Sequence, residues 1–277
     1  MKMTGIIKDA LLFPSKNTGR FGIYLLLSVL MVGFAIGGFF TNALGVIDGE
    51  NYLLGGMYLI ISLMIGFLIA GYHIKVIKSG IEHDEEVPVF ELYKDFMTGF
   101  DNTVVLLFYS IIPALIVLLV ALDTNLFANA IAVIQEVIYQ TFNVYFMGSS
   151  TYLAATAITY AFEKFVGSLA ITVTVAVILF AIFFVIESMA EARLANTGSL
   201  KEALNIFEAI KDIARIGVGR VILLILFLFL VIAVIDIIFI AVLSYFPFLL
   251  SVIYIVITPY LALFTQRALG LLYSEIT

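Results

Sequence analysis

Residues Val221–Tyr245, VILLILFLFLVIAVIDIIFIAVLSY, carry a single charge, Asp236. An α-helix of about 20 mostly apolar residues crosses the hydrocarbon layer of a bilayer. Barrel strands instead alternate polar and apolar residues over about ten positions. This stretch does not alternate, so it reads as a transmembrane helix. Five more runs share its character: Phe21–Leu44, Leu53–Tyr72, Thr103–Leu122, Phe165–Ile186 and Phe246–Thr265. Ser244-Tyr245-Phe246-Pro247 is the only break between the last two, which predicts a tight hairpin. Pro113 and Pro259 each remove a backbone donor and predict kinks in their spans.

The composition agrees. Of 277 residues, 63% are apolar and 12% charged. Ordinary soluble domains have about 45–50% and about 25%. So little charge cannot cover a soluble fold, and it excludes disorder, coiled coil and a basic nucleic-acid-binding module. Cysteine is absent, which removes disulfides, thiolate metal sites and cysteine nucleophiles.

Lys and Arg set the expected orientation. Thirteen of the fourteen fall before the first span, in 73–102, in 187–220 or near the C-terminus, and Lys164 is the exception. Six spans with both termini cytoplasmic place all thirteen on one side, so a multi-pass protein of the cell membrane is expected. The first run is too long for a secretory signal and no cleavage site follows it. Ahead of it, Met3, Ile6, Ile7, Ala10, Leu11 and Phe13 recur at helical spacing, predicting a short amphipathic helix on the membrane surface.

Region 123–164 carries two polar stripes, Asn129/Glu136/Gln140/Asn143 and Ser149/Tyr152/Thr156/Thr159/Glu163, separated by Gly148-Ser149-Ser150. They predict two amphipathic helices on the outer face. A re-entrant hairpin is the alternative.

Phe90-Glu91-Leu92-Tyr93-Lys94-Asp95 recurs as Phe207-Glu208-Ala209-Ile210-Lys211-Asp212, and Lys78-Ser79-Gly80 aligns with Asn196-Thr197-Gly198. Each unit reads as a span, a Gly-terminated helix end, an amphipathic elbow helix and another span. Phe90 and Phe207 should then occupy matching positions. The second elbow has a capping box, Ser199 with Glu202, and an apolar stripe of Leu200, Leu204, Phe207, Ile210 and Ile213. The first should start at Pro88, with Val89, Leu92, Tyr93, Phe96 and Phe100 as its apolar face. The expected fold is an all-α integral membrane protein of about six transmembrane helices in two parallel repeats with amphipathic elbow helices. One membrane domain, 1–277, divides into an N-terminal segment (1–20), repeat unit 1 (53–122), the external region (123–164), repeat unit 2 (165–245) and a last span with the C-terminal end (246–277).

Several short motifs resemble an uncharacterised, largely archaeal prokaryotic membrane family, domain of unknown function 4013. They are Ala10-Leu11-Leu12-Phe13-Pro14, Gly71-Tyr72, Pro88-x-Phe90, Gly99, Tyr109 with Pro113, Asn196-Thr197-Gly198-Ser199-Leu200 and Arg267-Ala268-Leu269-Gly270. The resemblance covers nearly the whole chain. It implies a polytopic membrane protein without an assigned activity and carries over no catalytic residue.

The chain lacks H-E-x-x-H, P-loop and G-x-S-x-G motifs, and Gly217-Val-Gly219 lacks a third glycine and a flanking strand. No catalytic, cofactor-binding or metal residue is assigned, and no cofactor is expected. Glu82-His83-Asp84-Glu85-Glu86 offers oxygen ligands but reads as a solvated acidic loop. Asp236 lies ~22 Å along its span from Val221, where a charge is costly. It should point into the bundle, either for transport or to pack two helices against a hydroxyl. Glu187 and Glu191 end the fourth span at the level of Arg267, which suggests a Glu187–Arg267 or Glu191–Arg267 pair. Gly33-x-x-x-Gly37 suggests close helix packing.

Three function classes fit. The first is a non-enzymatic membrane component, partnered by membrane lipids and by a protein or a second copy of the chain. The second is a transporter or permease for a small solute or lipid. The third is a membrane-embedded enzyme, the reading least served by the motifs. No nucleic-acid partner is expected.

Overall fold

The computed structural model describes residues 2–48, 52–148, 150–243 and 247–277, with all their side chains except those of 46–48, 152, 153, 243 and 247–252. No strand occurs among them. The helices are α1 (Met3–Leu12), α2 (Thr18–Asp48), α3 (Tyr52–Ile81), α4 (Leu92–Asp123), α5 (Leu126–Met147), α6 (Thr151–Thr197), α7 (Leu200–Ala203), α8 (Ile206–Ile216), α9 (Val218–Leu243) and α10 (Pro247–Tyr273). Helices α2, α3, α4, α6, α9 and α10 contain segments long and apolar enough to cross a membrane. Their large side chains face outward, as Phe229 (71% exposed) and Leu53 (82%) do. A bilayer solvates such surfaces and water does not. The protein is a multi-pass, all-α membrane protein. The hairpin break at 244–246 lies outside the described residues, but Pro247 opens α10 where its missing N–H costs nothing. Both α4 and α10 continue through their internal prolines.

Two compact units are present: 1–106 with 185–277, and 107–184. In the first, α2 packs along α3, and α10 packs against α3 and α1. Glycines set two crossings. A methyl on Gly71 would overlap the Asp95 carbonyl, and one on Gly99 would overlap the Phe67 carbonyl, so α3 and the start of α4 meet backbone to backbone. Gly80 and Gly270 do the same for α3 and α10. The expected Gly33/Gly37 contact is replaced by Gly38 against the Gly55 carbonyl. Gly33 faces open space, and Gly37 makes only ordinary contact with Tyr58.

Helix α1 forms as its periodicity predicts, and a 3-10 turn at Phe13–Lys16 closes it. It lies on protein, however: Ile6, Ala10 and Phe13 are fully buried, and Tyr260 of α10 donates to the Leu11 carbonyl at 2.5 Å.

The two elbows differ in continuity. Gly198 (φ +65°) closes α6 in the left-handed conformation. Ser199 Oγ then accepts from Glu202 N at 3.4 Å to cap α7, Asn205 caps α8, and Gly217 (φ +104°) separates α8 from α9. The first elbow has no such break. Gly80 sits inside α3, the left-handed residue is His83 (φ 55°), Pro88 lies in an extended segment, and α4 runs unbroken from Leu92.

In the second unit Asn129 Nδ2 of α5 donates to Ser168 Oγ of α6 at 3.3 Å, and Thr124, in the turn before α5, makes a hydroxyl contact with Thr172 of α6 at 3.3 Å. The polar stripe of α5 is half-buried, while Phe127, Ile131, Ile134, Ile138 and Phe142 are exposed. The second predicted amphipathic helix is not separate. It forms the N-terminal part of the 47-residue α6, because nothing between Thr151 and Phe165 stops a helix. At ~1.5 Å per residue α6 is ~70 Å long, more than the ~40–45 Å of a whole bilayer. Ser149 lies outside the described residues, as does the Tyr152 side chain.

Candidate functional site

Polar chemistry in the first unit gathers where the elbows meet the spans. At the first elbow Lys75 of α3 bonds Asp95 of α4 at 2.5 Å, and Asp95 is 1% exposed. Lys75 also donates to the Val89 carbonyl at 2.9 Å and lies 4.0 Å from Glu91. Lys94 pairs with Glu91 at 2.9 Å. The other Asp95 oxygen accepts from Glu91 N at 2.7 Å, satisfying a free donor at the start of α4. Beside this network Tyr72 stacks on Phe90 at 3.9 Å and donates to the Pro88 carbonyl. Arg20 of α2 donates to the Val87 carbonyl.

The second elbow repeats the set. Arg193 of α6 bonds Asp212 of α8 at 2.8 Å, and Asp212 is 1% exposed. Arg193 also pairs with Glu202 at 2.9 Å and reaches Glu208 at 3.8 Å. Lys211 pairs with Glu208 at 2.6 Å. Arg215 and the Tyr273 hydroxyl complete the Asp212 carboxylate at 3.0 and 2.7 Å. The Lys211 hydrogen bond is the leading reason the Glu208 carboxyl lies below its ordinary pKa, and charge from Lys211, Arg193 and Arg215 adds to it against partial burial. Lys75 and Arg193 stand 118 positions apart, and Glu91/Glu208, Lys94/Lys211 and Asp95/Asp212 stand 117 apart. Each elbow therefore has a span cation on a buried aspartate and a glutamate shared with an exposed lysine.

The phenylalanines do not match. Phe90 turns in against Tyr72, whereas Phe207 is 78% exposed. Position 90 precedes its helix in extended chain, while position 207 is already inside α8. The outward faces are apolar all the same: Val89, Leu92, Tyr93 and Phe100 on one elbow, Phe207 and Ile210 on the other.

Arg267 is 2% exposed and is not paired with Glu187 or Glu191. Its Nε and Nη2 meet Asp9 at 3.0 and 2.9 Å, and Nη1 donates to Ser79 Oγ and the Asp84 carbonyl. Its guanidinium lies over Phe13 at 4.4 Å. Burial opposes the Asp9 charge, but the Lys16 hydrogen bond and Arg267 outweigh it and hold this carboxyl below its ordinary value. Asp236 is half-buried and accepts from Tyr254 Oη of α10 at 3.2 Å. Glu187 and Glu191 are half-buried on α6, and Glu191 meets the side chain of Asn102. The acidic run 82–86 is exposed. No group of three His, Cys, Asp or Glu gathers among the described residues.

The family model described as Protein of unknown function (DUF4013) matches residues 54–244. The chain belongs to the DUF4013 family. No curated protein and no solved structure matches it. The residues matched to DUF4013 include both elbow aspartates and their span cations, whereas Tyr273, Asp9 and Arg267 fall outside them. Sequence reasoning missed Asp95 and Asp212 as the centres of the elbows. Their signal was present, since an acid and its span cation recur together at nearly one offset.

Proposed function

We propose that this DUF4013 protein is a non-enzymatic component of the cell membrane, with both termini and both elbows cytoplasmic, that engages lipid through the elbows. The observation that carries the reading is the paired network. Each buried aspartate fastens the polar face of an elbow to a span. The opposite face is left apolar and aromatic, flanked by the exposed Lys94 and Lys211. Such a face suits the headgroup–acyl boundary, where rings and lysine stems are both solvated. The acids and bases of the networks are spent on one another, which suits a fastening role. The two sets also support a duplication with both copies in the same orientation, because an even number of spans lies between them in the six-span arrangement. Asp236 held by one tyrosine hydroxyl favours helix packing over transport.

The chain has no tryptophan, so Phe207→Trp places one reporter on the second elbow. In reconstituted vesicles, lipids brominated near the headgroup should quench its emission strongly and aqueous acrylamide weakly. Strong acrylamide quenching with no bromolipid effect would overturn lipid engagement by that elbow.

A further inference from the structure

We propose that the outward face of α5 pairs with the same face of a second copy of the chain. Phe127, Ile131, Ile134, Ile138, Phe142 and Tyr145 follow one another in steps of four and three residues. On a helix they form one stripe, ~27 Å long. The stripe lies opposite Asn129, Glu136, Gln140 and Asn143, the half-buried polar face of α5 from which Asn129 bonds α6. Each of the six is at least 48% exposed, and Tyr145 is 81% exposed. Such a stripe is a helix-pairing seam, in which apolar knobs on one helix enter the gaps between those of another.

Lipid does not reach the whole seam. Phe165–Ile186 is the apolar span of α6, and Glu163 and Lys164 mark its edge. Because α6 is a single helix from Thr151 to Thr197, the turns before Glu163 continue out of the hydrocarbon instead of lying flat on it. Helix α5 runs antiparallel to these turns. Asn129 bonds Ser168 near its start, and Gln140, Thr141, Val144 and Tyr145 line one cleft with Thr151, Ala154, Ala155 and Ile158 near its end. The seam from Ile138 to Tyr145 therefore stands beyond the charged edge, where water would have to solvate it.

Charge selects a second copy as the partner. A two-fold axis doubles any charge placed on it, and the seam carries no Asp, Glu, Lys, Arg or His. Glu136, the single charged residue of α5, sits on the opposite face and accepts from Gln140 at 2.6 Å. Copies inserted in the same sense present the seam at the same height, so an axis along the membrane normal sets each seam residue against its own equivalent. Covering six side chains at roughly 100 Å² each removes on the order of 600 Å² per copy. Phe146, 75% exposed on the flank, adds to it, which approaches the ~800 Å² per partner of a standard interface. The contact stands apart from lipid engagement by the elbows.

The test uses the full chain, which has no cysteine of its own. Ile138→Cys, at the centre of the seam, should cross-link to a dimer on mild oxidation in native membranes. The yield should be about tenfold above that of Glu163→Cys, which is exposed on α6 opposite its Ala154, Ile158 and Ser168 face. In nonionic detergent, light scattering should give the wild-type protein the mass of two chains. Ile134→Glu/Ile138→Glu puts carboxylates into the seam and should give the mass of one, with unchanged helical circular dichroism because both positions are exposed. The cross-link remains a readout even if this double variant fails to fold. Three results would overturn the pairing: equal cross-linking of the two cysteine variants, as expected if lipid covers the seam; a wild-type mass of one chain; or a mass of two chains in the double glutamate variant.

Discussion

Asp212→Asn removes one charge from the second elbow and keeps its shape. The carboxylate is 1% exposed and bonds Arg193, Arg215 and Tyr273. Breaking a buried ion pair by removing one partner costs roughly 3–5 kcal/mol. Arg193 keeps Glu202 at 2.9 Å, and Tyr273 can still donate to the amide oxygen, so the loss falls toward or below that floor. About 2–3 kcal/mol is expected, a roughly 30- to 150-fold change in the folding equilibrium. The assay is reversible unfolding in mixed micelles across a cycle of Asp212→Asn, Arg193→Gln and the double variant. A coupling energy of about 1.5 kcal/mol or more is expected, above the ~0.2–1 kcal/mol of exposed pairs. The corresponding cycle on Lys75 and Asp95 should give the same sign and a value within about 1 kcal/mol. Coupling below about 0.5 kcal/mol at either elbow would refute the fastening role assigned to these aspartates.

Three further outcomes follow from the same contacts. Gly99→Ala should destabilise by about 3 kcal/mol or more in the same unfolding assay, because its methyl meets the unyielding Phe67 carbonyl rather than a movable side chain. Asp236→Asn should change stability by less than about 1 kcal/mol, since Tyr254 can donate to an amide oxygen as well; a larger loss would show that the charge itself matters. The Asp9 carboxyl is held below its ordinary value of 3.8, so its contribution is present at neutral pH and fades as pH falls through that value toward the lower folded one. An acid titration of stability should therefore be shallower in Asp9→Asn than in wild type below about pH 5.

The spans were legible because uninterrupted apolar runs leave a chain few alternatives to helices in lipid. The second elbow was legible in the caps at Gly198 and Ser199, which act over a few residues, but the expected box is only half made: Ser199 N donates to Thr197 Oγ1, and the Glu202 carboxylate pairs with Arg193 instead. The first elbow was misread at its start. Pro88 suits a helix start in general, but Glu91 N is satisfied by Asp95, so α4 begins at Leu92. The partner of Arg267 was not legible. Asp9 lies 258 residues away, and Glu187 and Glu191 satisfied the charge and approximate level equally well. Only the docking of α1 on α10 decides between them. The Phe90/Phe207 correspondence failed for a similar reason: one local backbone difference turns a side chain from the protein interior to the exposed surface while the buried charges keep their partners.

Cysteine accessibility tests the central claim most directly, that two like elbows lie on one side of the membrane. The chain has no cysteine of its own. The positions Glu85, Lys201 and Asp123 are exposed and suit single introduced cysteines. In intact cells a membrane-impermeant thiol reagent should label Asp123→Cys and spare both Glu85→Cys and Lys201→Cys, which should react only after permeabilisation. Labelling of Glu85→Cys and Lys201→Cys from opposite sides would contradict the account, for it would put an odd number of crossings between the elbows.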